Sequence, residues 1–95
     1  MHIRALFLQH QAQTSFAPLG LEVSHASGCR IFDTEGRAYW DLISGISVSS
    51  LGHAHPEINA AAIAQMHRYN HVMVYGEMIQ APQVLLAQAL DTIAS

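Results

Sequence analysis

The spacing of apolar residues changes twice along this 95-residue chain, and that change limits the possible folds more than any other feature. Apolar side chains in residues 3–11 recur every three or four positions, as on one face of a helix, whereas those in residues 21–43 alternate with polar ones, as in a strand. Helical spacing then returns. The sequence therefore predicts an α+β fold with an N-terminal helix, a small antiparallel sheet over roughly 21–43, and two helices near 56–69 and 81–94.

Turn residues divide this pattern at several places. Asp33-Thr34-Glu35-Gly36 has aspartate at the first and glycine at the fourth position of a type I turn, which predicts a hairpin, with an irregular loop as the alternative. Further along, "ISGISVSSLGH" mixes β-branched residues with glycine and serine, and we expect an extended segment that bends. Each later helix has a proline in its first turn, Pro56 or Pro82, where the missing N–H leaves no hydrogen bond unmade.

Composition excludes several classes of protein. About half of the residues are hydrophobic (51%) and 12% are charged, which is typical of a globular chain. Seven acidic residues face four basic ones, and no basic run is present that could follow a nucleic-acid backbone. The single cysteine, Cys29, excludes an internal disulfide and fits a reducing compartment. We find no signal peptide and no apolar run long enough for a membrane span, so we expect no membrane partner and a cytoplasmic location.

Histidines raise the alternative of a metal site. His53 and His55 in "SLGHAHPE" would precede the first of the two later helices, whereas His67 and His71 would lie about three turns along it, roughly 18 Å away at the rise of an α-helix. One zinc ion cannot bind all four imidazoles unless that helix breaks. We therefore expect "SLGHAHPE" to be a loop-to-helix junction whose imidazoles form hydrogen bonds, and we assign no metal ligand. No nucleophile elbow is present, and no catalytic residue is assigned.

The succession "GCRIFDTEGRAYWDLISGISVSSLGHAHPEINAAAIAQ", from Gly28 to Gln65, resembles the N-terminal signature of class III aminotransferases. These pyridoxal phosphate enzymes of fold type I include acetylornithine, ornithine and 4-aminobutyrate aminotransferases. The later "PQVLLAQAL" resembles the first long helix after that signature. The resemblance implies that residues 1–80 are the N-terminal segment of the small domain with its linking helix. Residues 81–95 would be the start of the first helix leading to a large domain that is absent here, so we expect a truncated chain.

The resemblance also implies roles for particular residues. In related enzymes the residue after Ser-Gly, here Ile46, faces the substrate, and ornithine-type enzymes carry a tyrosine there. Gly45 and Ile46 are thus predicted to bind substrate, with Ile46 favouring a donor other than ornithine; the alternative is that Ile46 belongs to the core. Tyr75 lies in a segment that approaches an active site at the dimer interface of relatives, and it is the third predicted substrate-binding residue. Trp40 and "MVYGEMIQ" depart from the usual pattern, which leaves the substrate subgroup open.

The implied reaction moves an amino group from an amino acid or amine to a 2-oxo acid through pyridoxal phosphate. The chain contains no lysine, the residue that forms a Schiff base with this cofactor, so we expect no covalently bound cofactor and no activity from the chain alone. Its expected partners are the remainder of the aminotransferase chain, a second subunit in a homodimer, and the small-molecule donor and acceptor. The alternatives are a small independent interaction domain and a histidine-based metal-binding module.

Overall fold

The computed structural model describes residues 2–95 and has the α+β fold that the sequence predicts. Two compact units divide the chain, the first ending at Ala61 and the second beginning at Ala62. The elements in chain order are α1 (Ile3–His10), β1 (Val23–Ser27), β2 (Arg30–Asp33), β3 (Ala38–Trp40), α2 (Ser44–Ser47), α3 (Pro56–Arg68) and α4 (Ala81–Ala94). The predicted N-terminal helix, the sheet and both later helices are therefore confirmed.

The three strands form one antiparallel sheet in the order β1-β2-β3. His25 pairs with Phe32 across β1 and β2, and their rings stack with centroids 4.4 Å apart. Arg30 pairs with Trp40 across β2 and β3, and its guanidinium carbon lies 4.3 Å from the centroid of the tryptophan ring. Such cross-strand pairs are the contacts that stabilise a small sheet.

The hairpin turn between β2 and β3 is held by the buried carboxylate of Asp33. Its Oδ1 accepts the backbone N–H groups of Glu35 and Arg37, both at 2.9 Å, and its Oδ2 accepts Arg37 Nε–H at 2.8 Å and the Tyr39 hydroxyl at 3.0 Å. Gly36 N–H closes the turn on the carbonyl of Asp33. The Arg37 guanidinium, followed by these other donors, lowers the pKa of Asp33 to about 2, although its burial opposes that change. The predicted turn is confirmed.

The expectation of an extended segment after the sheet is wrong. Residues Ser44–Ser47 form a single short turn, and all four have positive φ angles, between 54° and 66°. The Asp41 side chain accepts backbone N–H groups at the start of this turn, so local side-chain hydrogen bonds override the preference of β-branched residues for extended backbone.

Hydrophobic side chains remain accessible throughout the described chain. Among residues 2–95 no hydrophobic residue is fully buried, and the two buried residues are Asp33 and Gln80. Leu86, Leu90 and Ile93, which share one face of α4, are 61%, 57% and 81% exposed. No helix in residues 2–95 is long and apolar enough to cross a membrane. Polar hydrogen bonds, rather than a hydrophobic core, therefore fix the local geometry of the first unit.

A close backbone approach joins the Gly52–His53 segment to the turn between β1 and β2. Gly28 and His53 exchange two backbone hydrogen bonds of 3.0 and 2.8 Å. Gly52, with φ of +84°, lies directly before this bridge, and a Cβ atom there would be 3.2 Å from the carbonyl oxygen of Gly28. A side chain at Gly52 would thus force the two backbone segments apart.

We predict that Gly52→Ala destabilises the chain more than Gly36→Ala does. Both glycines have φ of +84°, but a Cβ at Gly36 would meet no atom within 4 Å. Gly36→Ala therefore reports the cost of left-handed backbone alone, about 1–2 kcal/mol, and Gly52→Ala adds the contact with Gly28. Urea unfolding of the two variants gives the difference in free energy of unfolding. Equal losses would contradict the close approach.

Candidate functional site

The predicted substrate-binding residues Gly45 and Ile46 lie together in the left-handed turn α2. Their φ and ψ angles are 59° and 30° for Gly45, and 61° and 61° for Ile46. A β-branched residue rarely adopts such angles, because its side chain collides with its own backbone. Strain of this kind costs about 1–3 kcal/mol and persists only where the surroundings hold it. The groups that hold this turn are therefore part of the candidate site.

The first of these groups is the Asp41 carboxylate, which directly follows β3. Its Oδ1 accepts the backbone N–H of Ile43 at 3.0 Å and that of Ser44 at 2.9 Å. On the far side of the turn, the carbonyl of Ser44 accepts the N–H groups of Val48 and Ser49 at 2.8 and 2.9 Å. The backbone is thus hydrogen-bonded both before and after Gly45 and Ile46.

The second group is His53, whose imidazole fixes the other carboxylate oxygen of Asp41. His53 Nε2 lies 2.6 Å from Asp41 Oδ2, and the two side chains are 22% and 7% exposed. Hydrogen bonds from the Ser44 N–H, from His53 and from the Ile43 N–H lower the pKa of Asp41 below its ordinary value of 3.8. An ionised carboxylate only accepts, so the His53 Nε2–H donates. Asp41 therefore connects the sheet, the left-handed turn and the Gly52–His53 segment.

The two histidines of "SLGHAHPE" differ in their contacts. His53 makes a hydrogen bond of the kind expected at a loop-to-helix junction, to a partner side chain. Within the part of the chain that the structure describes, His55 Nδ1 is buried without a hydrogen-bond partner. In residues 2–95, no three His, Cys, Asp or Glu side chains are grouped in a way that could hold a metal ion. The structure thus assigns to His53 a hydrogen bond with Asp41.

The side chain of Ile46 is 83% exposed on the left-handed turn. An open cleft of about 760 Å³ lies in the first unit. Trp40, Leu42 and Ile43, which precede the turn, contribute to its wall. Neither Gly45 nor Ile46 lines this cleft. In the described part of the chain, the turn therefore presents the apolar Ile46 side chain outward and forms no closed pocket around it.

Tyr75, the third predicted substrate-binding residue, lies in the second unit between α3 and α4 and is 73% exposed. The segment that contains it is fixed at its end by the buried Gln80, whose Nε2–H donates to the carbonyl of Met73 at 2.9 Å. The grouping of Tyr75 with Gly45 and Ile46, which lie in the first unit, stays a prediction.

Sequence reasoning did not assign a role to Asp41 or Gln80. Asp41 belongs to the Tyr-x-Asp motif, and a signal for its role is present, since aspartate before a Gly- and Ser-containing stretch often accepts backbone N–H groups two and three residues later. Gln80 stands directly before α4, where its side chain turns back to the preceding loop instead of capping the helix. No pattern in the sequence indicates that contact.

Comparison with known proteins gives consistent matches to one family. A family model described as "Aminotransferase class-III" matches residues 11–95. Acetylornithine aminotransferase of Haemophilus ducreyi is 44% identical over 69 residues, which are 73% of this chain and 17% of that protein. Acetylornithine aminotransferase of Neisseria meningitidis serogroup A is 50% identical over 58 residues, 61% of this chain and 14% of that protein.

Solved structures agree with these matches. Ornithine aminotransferase of Toxoplasma gondii, crystallised with partial occupancy of PLP at its active site, has a TM-score of 0.77 and 28% identity over 93% of this chain and 21% of its own. Acetylornithine aminotransferase of Elizabethkingia anophelis has a TM-score of 0.80 over 96% of this chain and 23% of its own; at 23% identity it supports the fold alone. The chain spans between 14% and 23% of the length of these relatives.

We predict that Asp41→Asn removes part of the acid sensitivity of the first unit. The pKa of Asp41 is lower in the folded chain than in the unfolded chain, where it is near 3.8. The ionised carboxylate therefore stabilises the fold fully above the unfolded pKa, and this stabilisation is lost as the pH falls through the lower pKa of the folded chain. Urea unfolding at a series of acidic pH values measures how the free energy of unfolding depends on pH. NMR titration of the Asp41 carboxyl carbon gives its pKa in the folded chain. Asp91→Asn removes the same charge from exposed α4 and is the control. An unchanged pH dependence in Asp41→Asn would contradict the assignment.

Proposed function

The chain belongs to the class-III aminotransferase family, and we propose that it forms the N-terminal part of a pyridoxal phosphate-dependent enzyme that moves an amino group from an amino acid or amine to a 2-oxo acid. The family match over residues 11–95 supports this proposal, as does the likeness to aminotransferase structures. In the proposed domain division, residues 1–80 are the N-terminal segment of the small domain with its linking helix, and residues 81–95 begin the helix that leads to the large domain.

The residues of this chain do not by themselves fit a resident pyridoxal phosphate. The chain has no lysine to form an imine with the cofactor aldehyde. Asp33 and Asp41, the carboxylates with lowered pKa, already accept hydrogen bonds from neighbouring groups of the same unit. We therefore propose that these 95 residues bind no cofactor covalently and that the lysine is contributed by sequence outside them.

We propose that the left-handed turn contributes a wall of the substrate site, with Gly45 and Ile46 against the donor and Tyr75 added from the segment before α4. The observation that carries this role is the exposed Ile46 side chain on strained backbone, because strain of this kind concentrates at ligand sites. Gly45 leaves the approach to the turn free of a side chain. Isoleucine offers apolar contact and no hydroxyl, so a donor with an acylated side chain, as in acetylornithine, suits it better than free ornithine.

The apolar face of α4 supports the proposal that these residues act within a larger assembly. Exposed apolar surface of this kind on Leu86, Leu90 and Ile93 is uncommon on a soluble monomer. We propose that the remainder of the aminotransferase and a second subunit of a homodimer cover it, in the cytoplasm. The alternative of an independent interaction domain lacks support, since no hydrophobic residue among 2–95 is fully buried.

A hybrid enzyme tests the proposed function. In it, residues 11–95 replace the corresponding segment of the Haemophilus ducreyi acetylornithine aminotransferase. We expect the hybrid to transfer the amino group of N-acetylornithine to a 2-oxo acid, and we expect the 95-residue chain alone to show no turnover. The recipient enzyme without its own N-terminal segment is the control. A folded hybrid that binds pyridoxal phosphate but has no activity, or a chain that is active by itself, would contradict the proposal.

In the active hybrid, we predict that Ile46→Tyr changes the ratio of kcat/KM between N-acetylornithine and ornithine by about tenfold or more, in favour of ornithine. The tyrosine adds bulk against the acyl group and a hydroxyl for the free amine. Val48→Tyr, at another exposed position two residues away, is the control for added bulk. If Ile46 instead belongs to a core, the aromatic ring should cost about 1–3 kcal/mol of stability and leave the donor ratio unchanged.

A further inference from the structure

We infer that Asp41 and His53 are the positioning pair of the Ser44–Ser47 turn, so that donor selectivity depends on a hydrogen bond between two side chains that do not contact the donor. The inference rests on the proposed function, because it needs Ile46 to face the donor. It goes beyond that function by assigning a role in specificity to a carboxylate and an imidazole.

The first step is that the turn has an unfavourable backbone shape, although the Ile46 N–H donates to the Ile43 carbonyl within it. Ser44, Ile46 and Ser47 have φ angles of 54°, 61° and 66°, and none of them is glycine. Isoleucine returns readily to extended or right-handed backbone when its neighbours release it. Either return would swing the Ile46 side chain away from its present direction, because the direction of Cβ follows the backbone angles.

The second step is that Asp41 is the group that starts the turn. One carboxylate oxygen accepts both the Ile43 N–H and the Ser44 N–H. These are the two residues that immediately precede Gly45, so the carboxylate sets the direction in which the backbone enters the turn. An aspartate held through only one oxygen could rotate about its side-chain bonds and lose one of the two N–H groups.

The third step is that His53 prevents this rotation. Its Nε2 lies 2.6 Å from the second oxygen of Asp41, and hydrogen bonds to an ionised carboxylate are shorter and stronger than those between neutral groups. The backbone of His53 is itself anchored to Gly28 by two hydrogen bonds. The imidazole thus holds the carboxylate at a fixed position relative to the β1–β2 turn. The carboxylate in turn fixes the backbone that leads to Ile46.

The consequence is a particular pattern of kinetic change. A shift of the turn by about 1 Å changes the fit of a donor side chain against Ile46, and such displacements alter rates by up to about a hundredfold. In the proposed function, the proton transfers and the cofactor depend on groups outside this chain. Loss of the His53–Asp41 bond should therefore raise KM for the preferred donor and change the donor ratio, with little effect on kcat.

The test uses the holoenzyme of the hybrid described above. We expect His53→Ala to change the kcat/KM ratio between N-acetylornithine and ornithine about tenfold through KM, with kcat within about twofold. His53→Gln places an amide N–H near the position of Nε2 and should restore most of the ratio. His67→Ala removes an exposed imidazole on α3, and it is the matched control. A donor ratio unchanged in His53→Ala would overturn the inference.

A second pair of variants separates this inference from the proposed function. If the pair acts through Ile46, His53→Ala should no longer change the donor ratio when Ile46→Ala is already present. Equal changes in both backgrounds would overturn the inference. If Ile46→Ala alone leaves the donor ratio unchanged, the proposed role of Ile46 fails instead.

Poor folding of His53→Ala would not prevent the test. His53→Asn retains a polar side chain of similar shape but is too short to bring its amide to Asp41. It is expected to shift the donor ratio in the same direction as His53→Ala, and an unchanged ratio in a folded His53→Asn enzyme would equally overturn the inference.

Discussion

The hydrogen bond between His53 Nε2–H and Asp41 Oδ2 fixes the course of the backbone that follows β3 in the first unit. Without it, the Asp41 carboxylate would be held only by the Ile43 and Ser44 N–H groups of the backbone whose direction it sets. With it, the end of β3, the left-handed turn and the Gly28–His53 bridge share one network. Because both side chains are largely shielded from water, each partner of this bond has few alternative hydrogen-bond partners, and replacing either one leaves a polar group unpaired.

Two aspartates use the same arrangement of hydrogen bonds in the two turns that flank β3. Each accepts two backbone N–H groups with one oxygen; the other oxygen accepts two side-chain donors in Asp33 and one in Asp41. Carboxylates suit this purpose because their two oxygens accept several hydrogen bonds at fixed angles. In a segment whose apolar side chains are exposed, these carboxylates take over the local ordering that packed hydrophobic residues provide elsewhere.

The features that were predicted correctly are those encoded by neighbouring residues. The hairpin follows from aspartate and glycine three positions apart, and α3 and α4 follow from apolar spacing and from prolines in their first turns. The turn Ser44–Ser47 was not predicted, because hydropathy and β-propensity describe Ile46 as an extended residue and the controlling contact joins Asp41 to a histidine twelve residues later. The position of Tyr75 could not be predicted either, since apolar spacing locates the helices but not the course of the segment between them.

The absence of a buried hydrophobic residue among residues 2–95 also bears on the order of events during synthesis. The hydrogen bonds of Asp33 and Asp41 span at most twelve residues, so the hairpin and the turn close over short loops with a small entropic cost. These structures can therefore form while the ribosome is still extending the chain. In the proposed assembly, the apolar face of α4 would be covered only after these local structures have formed, and exposed apolar surface of this kind favours aggregation in the meantime.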